Sequence, residues 1–347
     1  MQFTSKQITI IVVAIASIFI LMGIFTIVAV VSDDSDDTSN DTKTEVVEQK
    51  PNVEQEEEPT DSIVINAPIE GDPYEELDEL IGLESVKEEV RTLANFVKVQ
   101  KMREKQGMKI PKMSYHLVFT GSPGTGKTTV ARIVARIYKD LGILKKGHTV
   151  ETDRSGLVAE YVGQTAVKTN AIVDSALNGV LFIDEAYALV PEQKGSDYGQ
   201  EAISTLLKRM EDDRDKLVVI IAGYTNEMQR FIDSNPGLQS RFNRYIDFPD
   251  YTAEELFRIF EMQARKNEYT IANDAKAYLQ ERLEYVVAHK DRNFGNARYV
   301  RNVFEKAVQV QANRLSGRHN LSRETLAEIT KSDIEEALKG KSNISHK

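Results

Sequence analysis

GSPGTGKT, residues 121–128, decides the reading of this chain. It fits the pattern G-x-x-x-x-G-K-[ST]. It follows a short apolar run, YHLVFTG (115–121), and precedes helical periodicity near 126–140. Strand, glycine-rich loop and helix in that order make a phosphate cradle. Gly121, Gly124 and Gly126 let the backbone curl until its amides face an anion, and the following helix directs its positive end at the same point. Lys127 is expected to reach the β- and γ-phosphates of a bound nucleotide, and Thr128 to ligate Mg2+. The expected phosphate-binding set is Gly121, Ser122, Pro123, Gly124, Thr125, Gly126, Lys127, Thr128 and Thr129.

About sixty residues further on, VLFIDEA (180–186) is a second apolar run, and it ends in Asp184 and Glu185. Carboxylates at the C-terminal end of a strand lie on the rim where open α/β sheets bind ligands. Asp184 is expected to hold Mg2+ through its water shell. Glu185 is expected to orient and deprotonate the attacking water, because phosphoryl transfer needs charge neutralisation and an in-line nucleophile. LVVIIAGY (217–224) is a third apolar run, and helical spacing falls near 84–106, 165–178 and 199–213. The alternation predicts an α/β domain over 71–250, a parallel sheet with helices on both faces.

Beyond Pro249 the strand pattern stops. Thr252 with Glu255 and Ser332 with Glu335 each read as a capping box opening a helix, so 251–347 is predicted to be a small all-helical lid.

The remainder of the chain differs in kind. Residues 8–31 carry no charge, and as a helix would span roughly 36 Å, enough to cross a ~30 Å hydrocarbon core. This predicts a transmembrane helix after a short tail (1–7), and a single-pass membrane protein whose ATPase domain is cytoplasmic, where ATP is available. Of the net charge of −10, residues 32–72 contribute −12, with fourteen acidic residues against two lysines, and the remainder totals +2. Residues 32–70 therefore read as an acidic, disordered linker. The near-neutral remainder argues against a nucleic-acid partner. The absence of cysteine excludes disulfides and thiolate metal sites.

With these pieces in place the chain resembles the AAA+ ATPases, over about residues 74–340, and within them the CbbX/SpoVK/EccA branch. The stretches that carry the resemblance are EYVGQTAVKT (160–169), GVLFIDEAYAL (179–189), DYGQEAI (197–203), NPGLQSRF (235–242) and GNARYVRNVFEKA (295–307). The resemblance implies that Ile81, Gly82 and Leu83 border the adenine. It implies that Arg241, or alternatively Arg244, is an arginine finger supplied to a neighbouring subunit, and that Arg298 is the lid arginine contacting the γ-phosphate. A polar sensor is expected beyond the LVVIIAG run; register favours Thr225, with Tyr224 and Asn226 as alternatives. EYVGQ matches a pore loop, in which Tyr161 would grip a polypeptide by area rather than by sequence. The implied assembly is a homohexamer that uses ATP and Mg2+ to remodel or unfold protein substrates. The competing reading is a nucleotide-dependent membrane scaffold or switch, associated with sporulation or secretion, that threads nothing.

Overall fold

The computed structural model describes residues 63–339 except 69, 112, 162 and 191–197. Its centre is a six-stranded sheet in the order β1-β3-β4-β5-β2-β6. The strands are β1 (Val64–Asn66), β2 (Leu117–Gly121), β3 (Thr149–Thr152), β4 (Gly179–Ile183), β5 (Leu217–Gly223) and β6 (Tyr245–Phe248). All pairings are parallel except that of the edge strand β1 with β3.

β4 and β5 are buried along their whole length, as strands covered by helices on both faces must be. Alternate residues point to opposite faces. Phe119, Phe182 and Ile220 join one apolar cluster, with Val86, Val90, Ile133 and Ile137 from the helices Glu84–Lys105 and Lys127–Asp140. Val118, Leu181 and Ile221 join the other, with Ile172, Leu206 and Phe231 from the helices Thr165–Ala176, Tyr198–Asp212 and Thr225–Asp233. Each such side chain contributes about 1.5–3 kcal/mol by leaving water.

The sheet order fixes the rim. β4, β5 and β2 lie side by side, so the residues after Ile183, Gly223 and Gly121 share one edge. Two ion pairs brace the helix that leaves the glycine-rich loop. Arg132 Nε lies 2.5 Å from Glu151 Oε1 on β3, and the same oxygen accepts Asn66 Nδ2 of β1 at 2.6 Å. The buried Arg136 pairs with Glu76 and donates to Gly71 O at 2.8 Å, securing the helix Pro73–Glu79.

The lid follows Pro249. Its helices Ala253–Lys266, Asn273–Ala288, Asn296–Leu315 and Lys331–Lys339 enclose Phe260 and Phe304, whose rings meet edge-on at 5.6 Å. It is not all helical. Thr270–Ile271 (β7) and Glu328–Ile329 (β8) form a two-residue parallel pair, too short to leave a period-2 pattern. Thr252 and Glu255 do form the expected capping box. The box expected from Ser332 and Glu335 is not what opens the last helix, which begins at Lys331; there Asp333 Oδ2 accepts both the backbone N–H (2.9 Å) and the hydroxyl (2.8 Å) of Thr330.

Two expectations about the start of the chain need correction. The single-pass membrane placement does not stand: among the described residues no helix is long and apolar enough to cross a membrane. The longest described helix, Glu84–Lys105, is charged along its length. The tail 1–7 and the stretch 8–31, on which that placement rested, lie outside the described residues. Most of the linker expected over 32–70 lies outside them too, but Val64–Asn66, at its end, is strand rather than linker.

Candidate nucleotide site

The glycine-rich loop closes on itself through its lysine. Lys127 Nζ donates to Gly121 O and Ser122 O, both at 2.8 Å, and Thr125 Oγ1 donates to Ser122 O at 2.9 Å. Lys127 opens the helix that carries Thr128 and Thr129 in its first turn. Burial pulls the Lys127 ammonium below the ordinary lysine range; the charges of Asp184 and Glu185 oppose this and that of Arg298 adds to it. A cation buried against backbone carbonyls, rather than paired with a carboxylate, is available to an incoming anion.

Asp184 and Glu185 leave β4 at the shared rim. Asp184 N–H donates to Thr152 O at 2.9 Å, which extends the β3–β4 pairing by one bond. Glu185 adopts φ +50°, a left-handed conformation, and its amide donates to Asp184 Oδ1 at 3.1 Å. Such a backbone costs about 1–3 kcal/mol for a residue with a side chain and is concentrated at functional sites. Burial raises the Glu185 carboxyl above the ordinary glutamate value, and Asp184 raises it further. Lys127 and Arg298 oppose the rise. The four groups therefore act on one another across the rim.

The other expected residues fall into two sets. Ile81, Gly82 and Leu83 run between the loop and the lid. An added Cβ on Gly82 (φ +63°) would meet Glu255 Oε1 at 2.2 Å, and Leu83 is buried beside Gly126. Arg298 lies in the first turn of the lid helix Asn296–Leu315, and its charge reaches Lys127 and Glu185. Tyr224, Thr225 and Asn226 leave β5 at the rim and line one cavity with Gly121 and Ser122. Of the three, Tyr224 feels the charges of both Glu185 and Arg298, and burial, followed by Glu185, raises its hydroxyl pKa.

Arg241 is not brought to this site. It ends the helix Pro236–Arg241, its carbonyl accepts Ser114 Oγ at 2.7 Å, and its Nη2 lies 3.6 Å from Glu211. Ser114 precedes β2, whereas the loop follows it, so at ~3.3 Å per residue Arg241 stands roughly 20 Å from its own loop. Arg244 is engaged locally, with its guanidinium 4.8 Å from the Phe96 ring centroid. Tyr161 is 64% exposed, which excludes a core role. It borders a cavity of about 1180 Å3 that Asp184 and Glu185 also line.

Residues outside the sequence reading join the lid to the loop and to the helix Thr225–Asp233. Tyr251 donates its hydroxyl to Thr125 O at 3.3 Å, Arg292 pairs with Glu227, and Asn296 contacts Pro123, Asp250 and Tyr251. Asn296 stands in GNAR, and only its polarity between two small residues marks it in the sequence.

A mostly parallel sheet in which a strand flanked on both sides ends in a glycine-rich loop clamped by a helical lid is the arrangement of a P-loop nucleotide-binding protein. The chain belongs to the AAA ATPases: the ATPase family associated with various cellular activities (AAA) matches residues 117–250, and the AAA lid domain matches residues 252–343. It is 42% identical to Stage V sporulation protein K of Bacillus subtilis over 241 residues, covering 69% of this chain and 74% of that one. It is 46% identical to the chloroplastic ribulose bisphosphate carboxylase/oxygenase activase of Cyanidioschyzon merolae, covering 68% and 80%. It is 44% identical to the ESX-3 secretion system protein EccA3 of Mycobacterium tuberculosis, covering 75% of this chain and 44% of that one. The chain thus spans less than half the length of the EccA3 proteins it matches. The FIGL-1 AAA domain crystallised with ADP shares the fold (TM-score 0.55, 19% identity, covering 81% and 87%). The relatives it matches, EccA3, Stage V sporulation protein K and the rubisco activase, are those of the branch that its motifs resembled.

Proposed function

We propose that this chain is a ring-forming motor, a homohexamer, that hydrolyses ATP to remodel or unfold protein substrates by moving Tyr161 through a central pore. The observation that carries the reading is the placement of Tyr161, exposed and bordering the cavity that Glu185 lines. An aromatic ring held out from a loop beside the hydrolytic site converts a change there into displacement of a gripping surface.

The residues present fit ATP with Mg2+. Among the described residues no group of three or more His, Cys, Asp or Glu could hold a metal by itself. A Mg2+ here would rest on the Thr128 hydroxyl, Asp184 through water, and phosphate oxygens, the pattern this cation favours. Bound ATP supplies the transferable phosphoryl group. Lys127 exchanges its contacts with Gly121 O and Ser122 O for the β- and γ-phosphates, while Gly82 and Leu83 flank the base. Glu185 orients the attacking water and accepts its proton, for which a raised pKa suits it. Arg298 from the lid, the sensor at Thr225 or its neighbours Tyr224 and Asn226, and Arg241 from an adjacent copy stabilise the charge on the transferred group. The position of Arg241, remote from its own loop, supports a role in a neighbour's site.

Sedimentation velocity of Glu185→Gln with ATP tests the assembly, since hydrolysis is blocked while binding is kept. A nucleotide-dependent hexamer is expected; a monomer at every concentration would sink the proposal. The same variant used as bait should retain substrate proteins in the ATP state.

A further inference from the structure

Asn296 is fully buried, with φ +45°, at the first position of the lid helix that carries Arg298 two residues later. Every polar atom of its carboxamide is used, and its partners come from three parts of the molecule. The two hydrogens on Nδ2 serve three acceptors, one of them shared: Asp250 Oδ1 (2.8 Å) in the joint between the domains, Phe294 O (3.2 Å) in the lid and Pro123 O (3.3 Å) in the phosphate loop. Oδ1 accepts the N–H of Tyr251 (3.0 Å). Three oxygens around one end and an N–H at the other fix which atom is nitrogen. Alongside, Ala297 N–H donates to Gly124 O at 3.2 Å, and an added Cβ on Gly124 would meet Gly295 O at 2.2 Å, so loop and lid touch backbone to backbone. Asp250 is also held by Lys290 of the lid at 2.6 Å. Burial raises the Asp250 carboxyl, but hydrogen bonds from Lys290, Asn296 and Ser122 outweigh burial and keep it below the ordinary range.

We propose that Asn296 is a positioning residue for ATP hydrolysis: its carboxamide locks the phosphate loop to the start of the lid helix and so sets where Arg298 stands at the γ-phosphate. The proposal rests on the reading of Arg298 given above. A hydrogen bond to Pro123 O couples any shift of the loop, when phosphates enter, to the first turn of the helix. A buried amide that lost its partners would leave them unpaired, which gives the knot one preferred geometry.

The test is a double-mutant cycle on kcat in the full chain. Asn296→Gly keeps the positive φ and removes the carboxamide. Its expected effect is about a tenfold fall in kcat, and Arg298→Ala should then cost far less than it does alone, because an unplaced arginine has little left to lose. A harmless Arg298→Ala overturns the Arg298 reading and the proposal with it. A harmful Arg298→Ala whose factor is unchanged by Asn296→Gly overturns the proposal alone. If Asn296→Gly does not fold, Asn296→Asp combined with Asp250→Asn keeps a donor–acceptor pair between 296 and 250 but leaves Pro123 O without its donor. In that folded pair a low kcat that Arg298→Ala lowers little further supports the proposal, and a near-parental kcat, or an unchanged factor for Arg298→Ala, refutes it.

Discussion

The guanidinium of Arg154 donates to the carbonyl of Ala188 at 2.9 Å and to that of Leu189 at 3.1 Å. Arg154 opens the short helix Arg154–Leu157, from which the chain runs on to Tyr161, and Ala188 lies in the turn that follows Glu185. One side chain therefore joins the segment that leads to the exposed aromatic to the turn that follows Glu185. Thr169 Oγ1, donating to Leu157 O at 2.9 Å, secures the other side of the same loop.

Arg154→Ala should separate the two activities. Basal ATP turnover is expected to stay within about threefold, while its stimulation by an unfolded protein such as casein is lost. Two carbonyls lose their donor, costing about 1–3 kcal/mol locally. Tyr161→Ala should give the same pattern without the stability loss. Retained stimulation in both variants would show that this loop does not report to the site.

Glu185 should set the acid limb of the pH–rate profile. Its carboxyl is raised by burial and by Asp184, so kcat should fall, as pH is lowered, at a pH above the ordinary carboxylate value. Asp184→Asn removes the second cause and should move the limb to lower pH in whatever activity remains. Glu185→Gln should slow turnover by about 10²–10⁴ and keep nucleotide binding. For stability the sign is the opposite of the usual acidic case. A raised folded pKa contributes stability that is present below the unfolded value and lost as pH rises through the folded one. Glu185→Gln should accordingly be more stable than the parent at neutral pH, as thermal melting with and without the substitution would reveal.

Arg314 and Asp333 offer a stability prediction away from the site. Arg314 grips the carboxylate through Nε–Oδ1 at 2.9 Å and Nη2–Oδ2 at 2.7 Å, and the Asp333 side chain is fully buried. Burial raises the Asp333 carboxyl, but hydrogen bonds from Arg314 and Thr330 outweigh it and leave the pKa below the ordinary value. That stability is present above the unfolded pKa and lost as pH falls through the folded one. Arg314→Ala strands the charge and should cost about 3–5 kcal/mol at neutral pH in urea unfolding. The penalty should shrink in acid, where the carboxyl is protonated in both folded and unfolded chains.

The parts legible in the sequence were those written within a few consecutive residues. The loop 121–128, the pair Asp184–Glu185 and the buried strands β2, β4 and β5 depend on local spacing or on unbroken apolar runs, and each appeared where its residues implied. Strands β3 and β6 escaped because one carries Glu151, paired with Arg132, and the other, at the sheet edge, buries only Ile246 and Phe248. Val64–Asn66 escaped because an edge strand exposing Val64 and Ile65 looks like the end of a polar linker. Asn296 was hidden for another reason. Its partners Pro123 and Asp250 lie 173 and 46 residues away, and no window along the chain brings them together. The start of the last helix was misread because Ser332–Glu335 and Thr330–Asp333 have the same spacing, and only the tertiary pairing of Asp333 with Arg314 decides between them.

Arg241 is engaged with Glu211 and Ser114, apart from the phosphate loop of its own chain. If it completes the cradle of the next, a solitary copy holds an unfinished catalyst, and dilution alone silences it. Turnover per molecule would then climb with crowding, and the fuel would go untouched until neighbours have met.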